Sequence, residues 1–209
     1  MGKIKVLVLA AGFSRRMKRN KMLLPFSHGT VIENTVRSFF QAPVAEVAVV
    51  VGYQQDEIRQ ALASYPVRFI ENPNFPQGMS TSVQEGIKVL GEDPQVEGVL
   101  ITPGDMPLIK KETVGALIEK FREGSYSVII PVYQGKKGHP VFFARTLFPQ
   151  LGDVSGDVGA REVVRKNQSQ CCFVEVDDPG ILIDIDCPEE YERWSKVMEN
   201  RKNNFNRNK

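Results

Sequence analysis

The chain has 209 residues, 42% hydrophobic and 25% charged, the proportions of an ordinary globular protein of one domain or one domain with a small excursion. A formal net charge of +2 excludes the global basicity with which proteins hold nucleic acid or an anionic membrane surface, so any positive field must be local. No apolar run approaches the about 20 residues that cross a bilayer, and the short run Val6–Ala11 is followed, not preceded, by its basic cluster, so a cytoplasmic protein is expected.

The first predicted element is a strand, Ile4–Leu9. The apolar run stops at Gly12, and Ser14, Arg15, Arg16, Lys18, Arg19 and Lys21 follow. Open α/β sheets bind ligands at the carboxyl ends of their strands. A tight turn, backbone N–H groups and several cations there suit a polyphosphate; a solvated basic loop is the plain alternative. Neither G-x-G-x-x-G nor G-x-x-x-x-G-K-[ST] occurs, so the loop is not a dinucleotide fingerprint or a P-loop. Arg16 can meet phosphate oxygens with a planar fork, and Lys21 can act as a mobile point charge.

Helical patterns over Val31–Gln41, Gln54–Ser64, Ser80–Leu90 and about Lys111–Glu123 alternate with strands at Val47–Val51, Val67–Ile70 and Val99–Thr102. The strands are continuous Val/Ile-rich runs, as in a parallel sheet covered on both faces, and the fold class is α/β. Gly78-Met79-Ser80-Thr81-Ser82 opens the third helix; its hydroxyls are either caps or donors to a base or ribose. Gly104-Asp105-Met106-Pro107 follows the fourth strand, so Asp105 either belongs to a turn or faces the first loop and holds Mg²⁺.

The second half changes character. Ser127–Val132, a turn at Gln134–Gly138 and Pro140–Phe143 predict an antiparallel hairpin inserted beside the parallel sheet. Lys136-Lys137-Gly138-His139-Pro140 ends its turn. These residues meet an anionic second substrate if the hairpin overhangs the strand ends; otherwise they are solvated lysines and a structural histidine. Gly156-Asp157-Val158-Gly159-Ala160-Arg161 is either an anion-suited or a simply capped start to a helix near Gly159–Lys166. Strands are expected near Cys172–Val176 and Leu182–Ile185. Asp184 and Asp186 alternate on one face of an extended segment, which suits a metal pair with Asp184 as ligand, while Asp186 can instead cap the last helix. That helix starts after Pro188 and runs through Glu189–Glu199, and the tail 200–209 is expected to be disordered. With no repeat or linker, residues 1–199 read as a single domain. Cys171, Cys172 and Cys187, with only His28 and His139, fit neither a zinc site nor a disulfide framework.

In this order, six segments resemble the nucleotidyltransferases of molybdopterin, most closely the molybdenum cofactor cytidylyltransferase group. They are LAAGFSRRMKRNK (Leu9–Lys21), NPNFPQGMSTSVQEG (Asn72–Gly86), GDMPLI (Gly104–Ile109), GKKGHPVFF (Gly135–Phe143), GDVGAR (Gly156–Arg161) and DIDCPEEY (Asp184–Tyr191). The family start reads L-A-A-G-x-S-x-R-M-G-x-x-K. The resemblance implies a Rossmann-like α/β fold of the glycosyltransferase-A type, a mostly parallel sheet with an inserted antiparallel hairpin. It implies Mg²⁺-dependent (Mn²⁺ as the alternative ion) transfer of CMP from CTP to molybdopterin-bound molybdenum, releasing pyrophosphate.

Residue by residue, the resemblance implies that Leu9, Ala10, Ala11 and Gly12 cradle the triphosphate through backbone amides, with Ser14 beside them. Arg16 and Lys21 neutralise it. Asn72, Gly78, Ser80, Thr81 and Ser82 lie on the nucleoside side, and Gly104 on the nucleotide side beside Asp105. Asp105, Asp184 and Asp186 hold the metal, with Arg16, Lys21 and Asp105 as the catalytic set. Lys137, Gly138, His139, Pro140, Asp157 and Arg161 face the acceptor. Two departures are plain: Lys18 stands where the family has glycine, and Cys187 where it commonly has threonine or serine. Ala10-Ala11-Gly12 resembles the cytidylyl group, whereas guanylyl members tend to have L-A-G-G. The implied partners are CTP and molybdenum-loaded molybdopterin, with a transient contact to a molybdenum hydroxylase, and neither nucleic acid nor membrane. Three alternatives stay open: guanylyl transfer to the same acceptor, nucleotidyl transfer to a sugar or polyol phosphate, and a non-catalytic cofactor carrier.

Overall fold

Seven strands follow one another across the central sheet of the computed structural model in the order β10-β7-β9-β6-β1-β4-β5, with the short β8 paired to β7. They are β1 (Lys3–Leu9), β4 (Glu46–Val51), β5 (Val67–Glu71), β6 (Val96–Pro103), β7 (Val128–Tyr133), β8 (Lys136–Lys137), β9 (Val141–Ala144) and β10 (Cys171–Glu175). The structure describes residues 2–17, 19–156 and 159–207, the last seven by backbone alone. β6, β1, β4 and β5 are mutually parallel, so their carboxyl ends share one edge.

One core layer sits on each face. Strand side chains alternate between them: Val6 and Val8 pack into one cluster and Leu7 into the other. The first layer is closed by α1 (Val31–Phe40), α2 (Gln55–Ala61) and α4 (Lys111–Arg122) through Val36, Phe39, Ile58, Leu62, Leu117 and Ile118. The second is closed by α3 (Met79–Gly91), α5 (Phe148–Gly152) and α6 (Arg161–Lys166) through Val83, Leu90, Leu151 and Val163. The start of α1 is fixed by a capping box. Thr30 Oγ1 accepts from Glu33 N at 3.4 Å while the Glu33 carboxylate accepts from Thr30 N at 2.6 Å. Just before it, β2 (Pro25–Phe26) and β3 (Gly29–Thr30) form a separate small ribbon that the sequence pattern did not suggest.

One feature matches expectation and two differ in detail. The inserted hairpin lies beside the four parallel strands and joins them into one sheet: β9 runs antiparallel between β6 and β7. Gly98 allows this, since a Cβ there would stand 2.2 Å from Phe142 Cζ. No strand forms over 182–185. The Asp178 carboxylate accepts from Gly180 N at 2.9 Å, Lys110 N at 2.8 Å and Thr113 Oγ1 at 2.7 Å, folding Pro179–Leu182 into a 3-10 turn against the start of α4. The last helix, α7 (Pro188–Arg207), carries its backbone past Glu199, because neither glycine nor proline interrupts 189–207. No helix among the described residues is long and apolar enough to cross a membrane.

Candidate active site

A cleft of about 380 Å³ opens at the carboxyl ends of β1 and β6, between the first loop, the start of α3 and the Asp105 loop. Its first wall is the loop after β1. Leu9 is still in the ladder, opposite Val50 and Pro103, and Ala10 N donates to Val50 O at 2.9 Å. The amides of Leu9 and Ala10 are therefore not available to a ligand, which narrows the expected cradle. From Ala11 to Ser14 the amides donate to no protein acceptor among the described residues. Gly12 borders open space and Ser14 takes a positive φ of 53°. Ser14 Oγ accepts from Lys21 N at 3.2 Å, which returns the loop on itself. Lys21 then opens a 3-10 turn capped by Asn20, whose side chain accepts from Met22 N at 3.1 Å. Lys18 lies outside the described residues.

The second wall carries the carboxylates. Gly104 N donates to Leu9 O at 2.9 Å, and a Cβ at Gly104 would stand 3.2 Å from that oxygen, so this glycine brings Asp105 tight against the end of β1. The chain returns from the 179–182 turn, and Ile185 N donates to Asp105 O at 2.9 Å. That single bond sets Asp184 and Asp186 beside Asp105. One oxygen from each of the three carboxylates lies within 4.8 Å of the others. The Lys21 ammonium donates to both Asp105 and Asp186, and Arg16 Nη2 donates to Asp186 Oδ2 at 2.6 Å. Asp186 is thus not the side-chain cap of α7: its carboxylate faces the cleft, while its backbone N donates to Glu190 Oε2 at 3.0 Å.

The electrostatics follow from burial and charge. Burial pushes the Asp105 carboxyl above the usual range, against the pull of Lys21. Burial, and after it the charges of Asp186 and Asp105, push Asp184 up to about 6. Burial alone would raise Asp186 too, but the Lys21 hydrogen bond and charge and the Arg16 charge outweigh it and hold the group low. Lys21 is disfavoured by burial yet held above its ordinary value by Asp105 and Asp186, so it is charged at neutral pH. Asp105 is 5% exposed and its Oδ1 finds no hydrogen-bond partner among the described residues. An orphaned buried carboxylate oxygen beside two other carboxylates is what a hard divalent cation would satisfy, so Asp105, Asp184 and Asp186 fit such an ion.

The remaining expected residues divide. Gly78 and Ser82 line the cleft. Ser80 and Thr81 do not: Ser80 is buried, and Thr81 Oγ1 donates to Gly78 O at 2.9 Å. Asn72 is buried beneath them and donates to Thr81 Oγ1 at 2.8 Å and Ser82 Oγ at 2.9 Å, so it shapes the wall without reaching the space. Phe13, Phe75, Pro76 and Met79 supply an apolar wall that sequence reasoning missed. All four lie inside segments that carry the family resemblance, Phe13 in LAAGFSRRMKRNK and Phe75, Pro76 and Met79 in NPNFPQGMSTSVQEG, but nothing in their residue types marked them as cleft walls.

Among the described residues, those expected to meet the acceptor do not line this cleft. Lys137 is exposed, with Nζ 4.4 Å from the Phe173 ring centre. Gly138 is buried, where a Cβ would stand 2.4 Å from Ile181 O, and Pro140 is buried as well. His139 N donates to Ile181 O at 3.0 Å. Burial holds the His139 imidazole neutral, its pKa lowered to about 4, against a hydrogen bond to the Ile101 backbone and with the Arg161 charge adding to the lowering. Arg161 is exposed at the start of α6. Asp157 lies outside the described residues. Cys171, Cys172 and Cys187 are half-buried free thiols.

Comparison with known proteins bears on this geometry. A family model for the MobA-like NTP transferase domain matches residues 6–171. The molybdenum cofactor cytidylyltransferase of Escherichia coli (strain K12) is 26% identical over 202 residues, covering 94% of this chain and 100% of that protein. A crystal structure of a Mycobacterium tuberculosis Rv0371c homologue from Mycobacterium sp. strain JC1 superposes with a TM-score of 0.82 at 26% identity, covering 94% of this chain and 97% of that one. M. tuberculosis Rv0371c in complex with manganese superposes at 0.75 with 24% identity, covering 93% and 98%. The fold is the glycosyltransferase-A type of nucleotidyltransferases.

Proposed function

The chain belongs to the MobA-like NTP transferase family, and from that premise we propose that it transfers CMP from CTP to the phosphate of molybdenum-loaded molybdopterin. The products would be molybdopterin cytosine dinucleotide and pyrophosphate. The observation that carries the reading is the placement of Asp105 and Asp186 against Lys21 and Arg16 in one cleft, with Asp184 completing the carboxylate group, beside a loop with unengaged amides.

An oxygen of the acceptor phosphate attacks the α-phosphorus of CTP. The bond from that phosphorus to the bridging oxygen of the β-phosphate breaks, and the electron pair leaves with pyrophosphate. No protein nucleophile is required. The amides of residues 11–14 would hold the triphosphate, and the Arg16 and Lys21 cations would take up charge as it moves onto the leaving group. A Mg²⁺ or Mn²⁺ ion on Asp105, Asp184 and Asp186 would supply Lewis-acid neutralisation of the phosphate oxygens. Phe13, Phe75, Pro76 and Met79 would exclude water around the nucleoside, with Ser82 as the polar contact.

Support for CTP comes from the Ala10-Ala11-Gly12 sequence and from the cytidylyl activity named for the E. coli relative. Support for the acceptor comes from the same name. A panel of CTP, GTP and ATP against molybdenum-loaded molybdopterin and against sugar and polyol phosphates tests both. Pyrophosphate release is expected with CTP and molybdopterin. Release with a sugar or polyol phosphate and none with molybdopterin would overturn the acceptor, and preference for GTP would overturn the base.

A further inference from the structure

We propose that Lys21 is the resident cation of the carboxylate triad, and that an incoming polyphosphate draws it off so that a divalent ion can enter. Metal and nucleotide would then bind cooperatively. The inference rests on reading the triad as a metal site. The Lys21 ammonium stands on Asp105 Oδ2 and Asp186 Oδ1, two of the three carboxylates that converge within 4.8 Å. An ion held by this triad needs those carboxylates, and at such spacing two cations repel strongly in a poorly solvated site. Metal binding without nucleotide therefore has to displace the lysine.

Displacing it is unfavourable unless a new anion is at hand. The Lys21 side chain is 14% exposed, and a buried ammonium without a partner is strongly destabilised. Its backbone is fixed by Ser14 Oγ and the 3-10 turn over Lys21–Leu23, so only the flexible side chain can move. Lys21 lines the same cleft as Ala11, Gly12 and Ser14, and a triphosphate on their amides would offer the anion within reach of the four-carbon stem.

The carboxylates are also prepared for the exchange. Asp186 keeps Arg16 on its other oxygen at 2.6 Å when Lys21 leaves. Asp105 Oδ1, buried and without a hydrogen-bond partner among the described residues, is the one oxygen of that residue the lysine does not hold. Nucleotide removes the competitor from the metal site, and by linkage the metal strengthens nucleotide binding by the same factor.

The test is Mn²⁺ binding to the full chain, read from the paramagnetic resonance signal of free Mn²⁺, with and without a non-hydrolysable CTP analogue. Lys21→Met is expected to bind Mn²⁺ on the order of tenfold tighter than wild type without nucleotide, and the analogue is expected to strengthen Mn²⁺ binding less in the variant than in wild type. Lys21→Arg keeps the positive charge and is expected to bind Mn²⁺ as weakly as wild type. Equal or weaker Mn²⁺ binding by a folded Lys21→Met, or tightening by Lys21→Arg as well, would overturn the proposal while leaving the metal site standing. Unchanged Mn²⁺ binding by Asp105→Asn would instead remove the metal reading on which the proposal rests.

Discussion

Gly180 joins the fold to the carboxylate triad, and Gly180→Ala is the perturbation whose consequences the structure defines most sharply. A Cβ at this position would stand 2.0 Å from Leu108 O and 2.5 Å from Leu108 C, both backbone atoms, where ordinary contact begins at 3.4 Å. The turn over Pro179–Leu182 must therefore move off the 104–109 loop by more than about 1 Å, since no side chain can give way instead. Overpacking of this kind costs about 1–3 kcal/mol, and about 1 kcal/mol corresponds to roughly 2–4 °C in Tm for a chain of this length. The same displacement pulls Asp184 from Asp105, and a misplacement of about 1 Å in a catalytic group can lower a rate on the order of 100-fold. Thermal unfolding followed by circular dichroism, Mn²⁺ affinity and pyrophosphate release are the readouts. We expect a Tm lower by several degrees together with losses in affinity and rate. Wild-type values in all three would show that the turn does not hold the triad together.

Gly115→Ala is the opposing case: the added Cβ meets nothing within 4 Å inside α4, and stabilisation by about 0.5–1 kcal/mol is expected in urea unfolding. A destabilised variant would contradict the open space seen there. His139 should make folding pH-dependent. Its folded pKa of about 4 lies below the ordinary 6.5, so its contribution is complete above pH 6.5 and is lost as pH falls from there toward 4. That loss amounts to about 3 kcal/mol at about 1.4 kcal/mol per pH unit. Urea midpoints in this interval should flatten in His139→Gln relative to wild type, and an unchanged slope would refute the assignment. Asp105→Asn should abolish turnover with little change in Tm, because burial already disfavours the charge that the substitution removes and Lys21 keeps Asp186 as its partner. A collapse in Tm would make Asp105 a structural residue.

The parallel half of the sheet was readable because each strand is a continuous apolar run bounded by turn residues, and the first loop declared itself where that run met Gly12 and a cluster of cations. Pairing between distant segments was not readable. Val141–Ala144 was legible as one arm of an antiparallel hairpin with β7, but nothing in it says that its other edge pairs with β6. Leu182–Ile185 has a strand-like pattern, but three donors converging on Asp178 fold the preceding residues into a turn. At the site, Pro188 made a helix cap of Asp186 a reasonable expectation. Its partners Arg16 and Lys21 lie 170 and 165 residues away, beyond the reach of any local rule. The same holds for Ala10, whose amide is engaged by Val50 rather than by a ligand.

The central claim is that Asp105, with Asp184 and Asp186, supports nucleotidyl transfer in this cleft. It is tested most directly with CTP labelled at the α-phosphorus, molybdenum-loaded molybdopterin and either wild type or Asp105→Asn. The label is expected in the molybdopterin dinucleotide, one pyrophosphate per transfer, only with wild type and a divalent cation present. Label transfer that survives removal of the cation, or that proceeds at the wild-type rate in Asp105→Asn, would contradict it.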